Sequence, residues 1–263
     1  MRHLPTAAMI LLTWSGAYGQ HPPASQPMDH TEHPGYGQPG CPMHEGGGEA
    51  DTTMHHPGMS ADEIQAHHKE GMHHSFEDAE KWSRVFDDPA RDAWQKPKEI
   101  VGLMSIKPGM TVADIGAGTG YLMPHLAEAV GGKGRVLALD IEPKLVEHMI
   151  ARAAKAGLAQ VKPKVIQGDD PGLPTAAVDR VVILDTWHHI PERVAYAKKI
   201  FEGLKPGGRL VIVDFTAESP FGPPKAHRLA PEAIIDTLRQ AGFTAKAAAE
   251  DLPHQFAIIG VKP

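Results

Sequence analysis

The sequence is poor in several residue types, and each shortage excludes a class of protein. One of its 263 residues is cysteine, which excludes a small domain built on disulfide bonds. Residues 76–263 carry 24 basic and 24 acidic side chains, so they lack the basic excess that nucleic-acid binding requires. The mean hydropathy of −0.28 excludes a membrane protein with several spans, and the 41% hydrophobic content excludes a wholly disordered chain.

Histidine, by contrast, is plentiful and unevenly distributed. Eleven of the 17 histidines precede Ser75. The acidic excess lies there as well, because residues 1–75 contain 2 basic and 8 acidic side chains and account for the whole formal charge of −6. We therefore expect one ordinary domain at residues 76–263, preceded by a leader of different character.

Residues 1–19 have the pattern of a secretory signal peptide. Arg2 supplies the basic start, residues 4–14 form a short apolar run, and Ala17 and Gly19 are small residues before a cut after Gly19. The apolar run is shorter than the ~20 residues that span a bilayer, so we expect no stable membrane insertion once the signal is cleaved. The pattern predicts a periplasmic or secreted protein, and a cytoplasmic one if the leader is not cleaved.

Residues 20–75 contain ten histidines, five methionines and the single cysteine, with almost no valine, leucine or isoleucine. Such a segment buries too little apolar surface to offset the entropy lost on ordering, so we predict that it is disordered. Imidazole, thioether and thiolate ligands together favour copper or another soft or borderline ion, whereas a solvated spacer is the alternative. The run at residues 41–44 resembles the Cys-Pro-Met-His motif of small heavy-metal-binding domains in copper-handling proteins. The candidate metal ligands are Cys41, Met43, His44, His55, His56, His73 and His74.

From residue 76 onward, helices and strands alternate at the spacing of a parallel sheet with helices on both faces. The predicted helices are 77–86, 91–105, 121–130, 143–156, 191–204 and 231–241. The predicted strands are 111–115, 135–139, 163–167, 179–184, 209–215, 243–249 and 255–261. The last two strands are expected to close the sheet as an antiparallel hairpin. The sequence thus predicts an α/β fold with a doubly wound, seven-stranded, mostly parallel sheet, and the two helices before Lys107 are its only obvious cover.

The first strand leads into a glycine-rich loop. Asp114 is followed by Gly116, Gly118 and Gly120, and a helix comes next. Glycines let the backbone turn tightly and approach a ligand, and a helix N-terminus adds free N–H groups. In an open α/β sheet the ligand binds at the carboxyl ends of the strands, where this loop lies. The spacing differs from the Gly-x-Gly-x-x-Gly of dinucleotide sites, and an acid at position 114 suits an ammonium group better than a pyrophosphate.

Further acids follow the next two strands. Asp140 ends the second strand, 20 residues after Gly120, where a carboxylate can accept both hydroxyls of a ribose. Asp169 and Asp170 follow the third strand, where either can reach an adenine amino group. The loop and these acids together indicate a nucleoside ligand that carries an amino-acid part.

In this order, the motifs resemble those of the class I S-adenosylmethionine-dependent methyltransferases. The resemblance covers about residues 90–263 and includes the run Asp-Thr-Trp-His-His-Ile at 185–190 and the run Leu-Lys-Pro-Gly-Gly-Arg-Leu at 204–210. Residues 179–215 are most similar to the quinone-biosynthesis type of small-molecule methyltransferase. The resemblance implies a Rossmann-like fold, S-adenosylmethionine as cofactor and a small molecule as methyl acceptor.

The resemblance also implies roles for individual residues. Asp114 and the backbone of the loop would hold the methionine part of the cofactor, Asp140 the ribose and Asp169 or Asp170 the adenine edge, with Ile141 packed on the adenine ring. The backbone around Asp185 would form the floor beneath the sulfonium. The cofactor-binding candidates are Asp114, Gly116, Gly118, Gly120, Asp140, Ile141, Asp169, Asp170 and Asp185.

Methyl transfer needs a base only if the acceptor carries a proton that must leave. His188 and His189, just beyond the fourth strand, and Asp185 are the catalytic candidates, although one histidine of the pair can instead serve to cap or pack. A second hypothesis of a different class is an exported copper-binding protein that uses a methyltransferase-like fold as a scaffold. The oligomeric state is left open by the sequence.

Overall fold

A computed structural model describes residues 79–263 of the chain. The predicted signal peptide at 1–19 and the predicted disordered segment at 20–75 lie outside the described residues. The same holds for the candidate metal ligands Cys41, Met43, His44, His55, His56, His73 and His74.

The domain is built on one sheet of seven strands, as the sequence predicts. The strands are β1 (Thr111–Ile115), β2 (Arg135–Asp140), β3 (Val161–Val165), β4 (Val178–Leu184), β5 (Leu204–Phe215), β6 (Thr244–Ala247) and β7 (Gln255–Val261). Their order in the sheet is β3-β2-β1-β4-β5-β7-β6, and β7 runs antiparallel to both of its neighbours while the other pairs are parallel. The chain reverses its direction of winding between β1 and β4, which is where open α/β sheets bind ligands.

Helices cover both faces of this sheet. They are α1 (Ala79–Phe86), α2 (Asp92–Gln95), α3 (Pro97–Leu103), α4 (Met123–Val130), α5 (Pro143–Lys155), α6 (Arg193–Gly203) and α7 (Pro231–Gln240). One core cluster joins α3, α4 and α5 to Val112 and Val182, while the other joins α6 and α7 to Ala113 and Ile183. Successive residues of a strand therefore pack into the cores on opposite faces of the sheet, because side chains alternate between the two faces. Within residues 79–263, no helix is both long and apolar enough to cross a membrane.

The prediction of one helix at 91–105 is wrong. The chain breaks into α2 and α3 at Lys96, which adopts the left-handed conformation with φ 47° and ψ 61°. Pro97 is the cause, because its ring disfavours helical backbone in the residue before it. The break also separates Trp94, which stacks on Phe221, from the buried Ile100 of α3.

Other boundaries differ by a few residues. The glycine loop extends to Leu122 before α4 begins, and α6 begins at Arg193. The third strand occupies Val161–Val165 rather than 163–167, since Val161 already pairs with Val136 of β2. β5 begins at Leu204 and includes the glycine turn that the sequence places before it.

Candidate cofactor and acceptor site

The glycine loop after β1 has a backbone that only glycine adopts without strain. Gly116, Gly118 and Gly120 have φ values of 75°, 58° and 86°. A Cβ at Gly116 would overlap the side chain of Thr186, and one at Gly120 would overlap Met123. Space and conformation both require glycine at these two positions, which explains the spacing read from the sequence.

Asp114 lies at the end of β1 and is 2% exposed. Its carboxylate makes no hydrogen bond to any residue of the described part of the chain, although burying an unpaired charge is costly. Burial and the nearby Asp140 raise the pKa of Asp114 to about 7, and the charge of Arg91 opposes that rise. The site therefore presents a nearly buried carboxyl group that a cationic ligand would stabilise in its charged form.

Asp140 ends β2 and connects the strand to the glycine loop. Its Oδ2 accepts a hydrogen bond of 2.8 Å from the Gly118 amide, and its Oδ1 accepts one of 3.0 Å from the Glu142 amide. Burial raises the pKa of Asp140, while these backbone donors lower it. Asp140 and Gly118 are thus adjacent, as the nucleoside interpretation requires.

The adenine-side candidates are more exposed. Ile141 follows Asp140 and is 59% exposed, which is unusual for a large apolar side chain and suits packing against a ligand ring. Asp169 is exposed and lies 3.8 Å from Lys199, and the Oδ1 of Asp170 accepts a hydrogen bond from the Gly172 amide. Burial raises the pKa of Tyr196, and the charges of Asp170, Asp140 and Asp169 raise it further. These three acids end or follow the neighbouring strands β2 and β3. The roles of Asp169 and Asp170 stay predictions.

Asp185 follows β4 and forms the centre of a partly buried polar network. Its backbone has a φ of 54°, which is rare for a residue with a side chain and marks a strained position. Its Oδ2 accepts a 3.0 Å hydrogen bond from Arg91, and its Oδ1 accepts one from Gln255, which also bonds Gln95. Burial raises the pKa of Asp185 to about 7, Arg91 lowers it and Asp214 raises it further. Asp185 therefore anchors the N-terminal part of the domain to the floor of the site.

Residues 79–95, which we call the cover segment, lie over the glycine loop. The ring of Phe86 faces Gly118, where an added Cβ would meet it at 3.7 Å. Asp87 accepts a hydrogen bond from the Thr119 hydroxyl and forms an ion pair of 2.6 Å with Arg152. These contacts place the end of α1 against the glycine loop, as the predicted cover by the helices before Lys107 requires.

His188 and His189 differ sharply although they are adjacent. His188 is 6% exposed and its Nδ1 lies 2.9 Å from the Oδ1 of Asp214, near the end of β5. The Nε2 of His188 has no hydrogen-bond partner within residues 79–263 and is not among their fully buried unpaired atoms, so it keeps some exposure. The ring of His189 is exposed and lies 4.2 Å from that of His188. The geometry thus favours His188 over His189 as a proton acceptor.

Sequence reasoning missed three residues of this site. Asp214 carried a usable signal, because an acid at the carboxyl end of a predicted strand is the pattern that marked Asp140. Arg91 and Gln255 carried none, since their partners lie 94 and 70 residues away along the chain. In the part of the chain that the structure describes, no group of three or more His, Cys, Asp or Glu side chains has the geometry to hold a metal ion.

Comparison with known proteins agrees with the fold and the site described above. A family model described as a methyltransferase domain matches residues 106–249. The chain is 30% identical over 144 residues to the aklanonic acid methyltransferase DauC of Streptomyces sp. strain C5, which covers 54% of this chain and 66% of that protein. It is also 30% identical over 139 residues to the demethylmenaquinone methyltransferase of Lactococcus lactis, which covers 52% of this chain and 54% of that protein. The chain therefore matches less than two thirds of the length of each of these relatives.

Among solved structures, the fold is similar to that of an S-adenosylmethionine-dependent methyltransferase from Aquifex aeolicus. The TM-score is 0.66 at 26% sequence identity, and the match covers 73% of this chain and all of the other.

Proposed function

Because the chain belongs to the class I S-adenosylmethionine-dependent methyltransferase family, we propose that it transfers a methyl group from S-adenosylmethionine to a small-molecule acceptor. The observation that carries this proposal is Asp114, a nearly buried carboxylate at the end of β1 that has no hydrogen-bond donor within residues 79–263. Such a group needs a cation, and the cofactor's methionine part supplies an ammonium.

The residues present fit the parts of this cofactor. Asp114 would pair with the ammonium and Asp140 would accept hydrogen bonds from the ribose, with the exposed side chain of Ile141 against the adenine. The glycine loop has the positive φ values and the lack of Cβ atoms that allow a ligand to lie against its backbone. When bound, the cofactor supplies a methyl carbon that its sulfonium already activates, so the protein contributes mainly position and charge.

The acceptor end supports a second, finer proposal: the acceptor atom carries a proton that His188 removes. Asp214 holds the Nδ1 side of the ring at 2.9 Å, which leaves Nε2 free to take a proton. An imidazole oriented by a buried carboxylate is a general base of the kind that neutral-pH chemistry uses. The names of the relatives, an aklanonic acid and a demethylmenaquinone methyltransferase, agree with an organic acceptor of this kind.

Calorimetric titration of the full chain with S-adenosylmethionine tests the first proposal. Wild-type protein should bind, and Asp114→Asn should lower the affinity roughly 10- to 100-fold because it removes the partner of the ammonium. Asp236→Asn is the matched control, since this exposed acid on α7 lies in a surface pair with Arg239. No binding by the wild type at millimolar cofactor, together with tight copper binding, would instead support the metal-binding alternative.

We also propose, from the sequence pattern of residues 1–19, that the protein is exported and cleaved after Gly19. Mass spectrometry of the N-terminus in separated cell fractions tests this. A periplasmic or secreted protein that begins at Gln20 is the expected result, and a cytoplasmic protein that retains Met1 would contradict it.

A further inference from the structure

Arg91 lies at the meeting point of the cover segment and the cofactor loop, where it forms an ion pair with Asp185. Its side chain is 13% exposed, and its guanidinium lies 4.3 Å from the ring centre of Tyr121, directly after the glycine loop. Nη2 donates to Asp185 at 3.0 Å, Nε donates to Gln95 at 3.0 Å and Nη1 donates to the Phe86 carbonyl at 2.9 Å.

These three bonds leave part of the guanidinium unused. A guanidinium has five N–H donors, and within residues 79–263 one N–H on each terminal nitrogen of Arg91 has no partner. A carboxylate can accept two such bonds side by side from one arginine. Two charged N–H donors of Arg91 are thus available to an anionic ligand group.

The charges of the site indicate which ligand would bring that group. Arg91 is the basic side chain that lowers the pKa of both Asp114 and Asp185, so all three lie within electrostatic range of one another. Arg91 is thus a cation among the acids Asp114, Asp140 and Asp185. The methionine part of S-adenosylmethionine carries an ammonium and a sulfonium, which suit the acids, and one carboxylate, which suits an arginine.

We propose that Arg91 binds the α-carboxylate of the cofactor's methionine part, while Asp114 pairs with its ammonium. This inference rests on the proposed function and adds a cofactor-binding residue from outside the glycine loop. Because Arg91 belongs to the cover segment, the cofactor-binding site is complete only when that segment lies over the glycine loop. Asp185 holds the guanidinium in place through the existing 3.0 Å ion pair.

A comparison of two ligands against two arginine variants tests the proposal. The full chain is titrated by calorimetry with S-adenosylmethionine and with its decarboxylated analogue, which keeps the ammonium and the sulfonium but lacks the carboxylate. Wild-type protein should prefer the complete cofactor, and Arg91→Gln should lower that preference roughly 10- to 100-fold, as expected for lost hydrogen bonds between charged groups. Arg91→Lys keeps the charge without the paired donors and should lie between the two.

Arg152→Gln is the control, because Arg152 pairs with Asp87 and holds the same cover segment from the other side. A looser cover should weaken both ligands equally and leave their ratio unchanged. An equal ratio in wild type and Arg91→Gln would overturn the inference while leaving the proposed function intact. If wild-type protein bound neither ligand, the proposed function itself would fail.

Discussion

The two ends of the site are built differently. The cofactor end depends on the backbone, since the glycine loop and Asp140 lie within 27 residues along the chain and on neighbouring strands. The acceptor end is joined to the cofactor-binding Arg91 by a network of side chains that are far apart in sequence: Arg91 and Asp185 are separated by 94 residues, and Gln95 and Gln255 by 160. A backbone site leaves a motif in the sequence, whereas a site of long-range side-chain contacts is recognisable only once the fold is known.

The largest effect is expected from a substitution that disrupts only the cofactor end of the site. Gly116→Ala places a methyl group against Thr186 and forces alanine to a φ of 75°, so the loop must shift. We expect the unfolding free energy to fall by about 2–5 kcal/mol and S-adenosylmethionine binding to drop below detection. Chemical denaturation and calorimetry measure the two quantities.

Gly131→Ala separates backbone strain from the steric clash. Gly131 has a φ of 65° at the end of α4, but nothing lies within 4 Å of an added Cβ. This control should lose only about 1–2 kcal/mol and keep its cofactor affinity. If both variants lost the same stability and both still bound S-adenosylmethionine, the contact between the loop and Thr186 would not be the reason for glycine at position 116.

Much of the cofactor end follows from sequence for a physical reason. Strand–helix alternation determines the sheet, and a parallel sheet brings the ends of β1 and β2 to one edge. The glycines at 116, 118 and 120 then mark where the backbone turns, and Asp140 marks the next strand end. Asp114, the loop and Asp140 were all predicted on this basis, and the structure places them together.

The acceptor end shows where such reasoning stops. The catalytic candidates His188 and His189 are adjacent in sequence, and only the folded chain, which buries His188 beside Asp214 of β5 and leaves His189 exposed, distinguishes them. Likewise, the prediction of one helix at 91–105 missed the left-handed turn at Lys96, which separates α2 from α3. Periodicity reports burial and not the direction in which a polar side chain points.

The next largest effect is expected from a substitution that disrupts only the acceptor end of the site. Asp214→Asn removes the carboxylate that orients His188, and we expect the methyl-transfer rate to fall about 100-fold while the cofactor affinity changes less than about twofold. In spectra of ¹⁵N-histidine-labelled protein, the wild type should show His188 protonated at Nδ1, and the variant should lose that preference. A wild-type His188 protonated at Nε2 would refute the assignment of His188 as the base.

The smallest effect connects the two ends through their charge. Burial raises the pKa of Asp114 and that of Asp185 to about 7 each. The nearby Asp140 raises the pKa of Asp114 further, and Asp214 does the same for Asp185. The charge of Arg91 lowers both pKa values. A cationic ligand binds the ionised carboxylates, so the affinity for S-adenosylmethionine should rise roughly fivefold to tenfold between pH 6 and 7.5 for each acid that pairs with it.

The stability of the ligand-free protein should change in the opposite direction. Since the folded state holds these protons up to about pH 7 while the unfolded chain releases them near 3.8, the stability they contribute is complete below about pH 4 and is lost as the pH rises through 7. Asp114→Asn should lose its share of both trends, which thermal melts and titrations at several pH values measure side by side. The ligand's own amino group titrates identically with wild type and variant, so the difference between them belongs to Asp114; equal pH profiles would mean that the ammonium is held elsewhere.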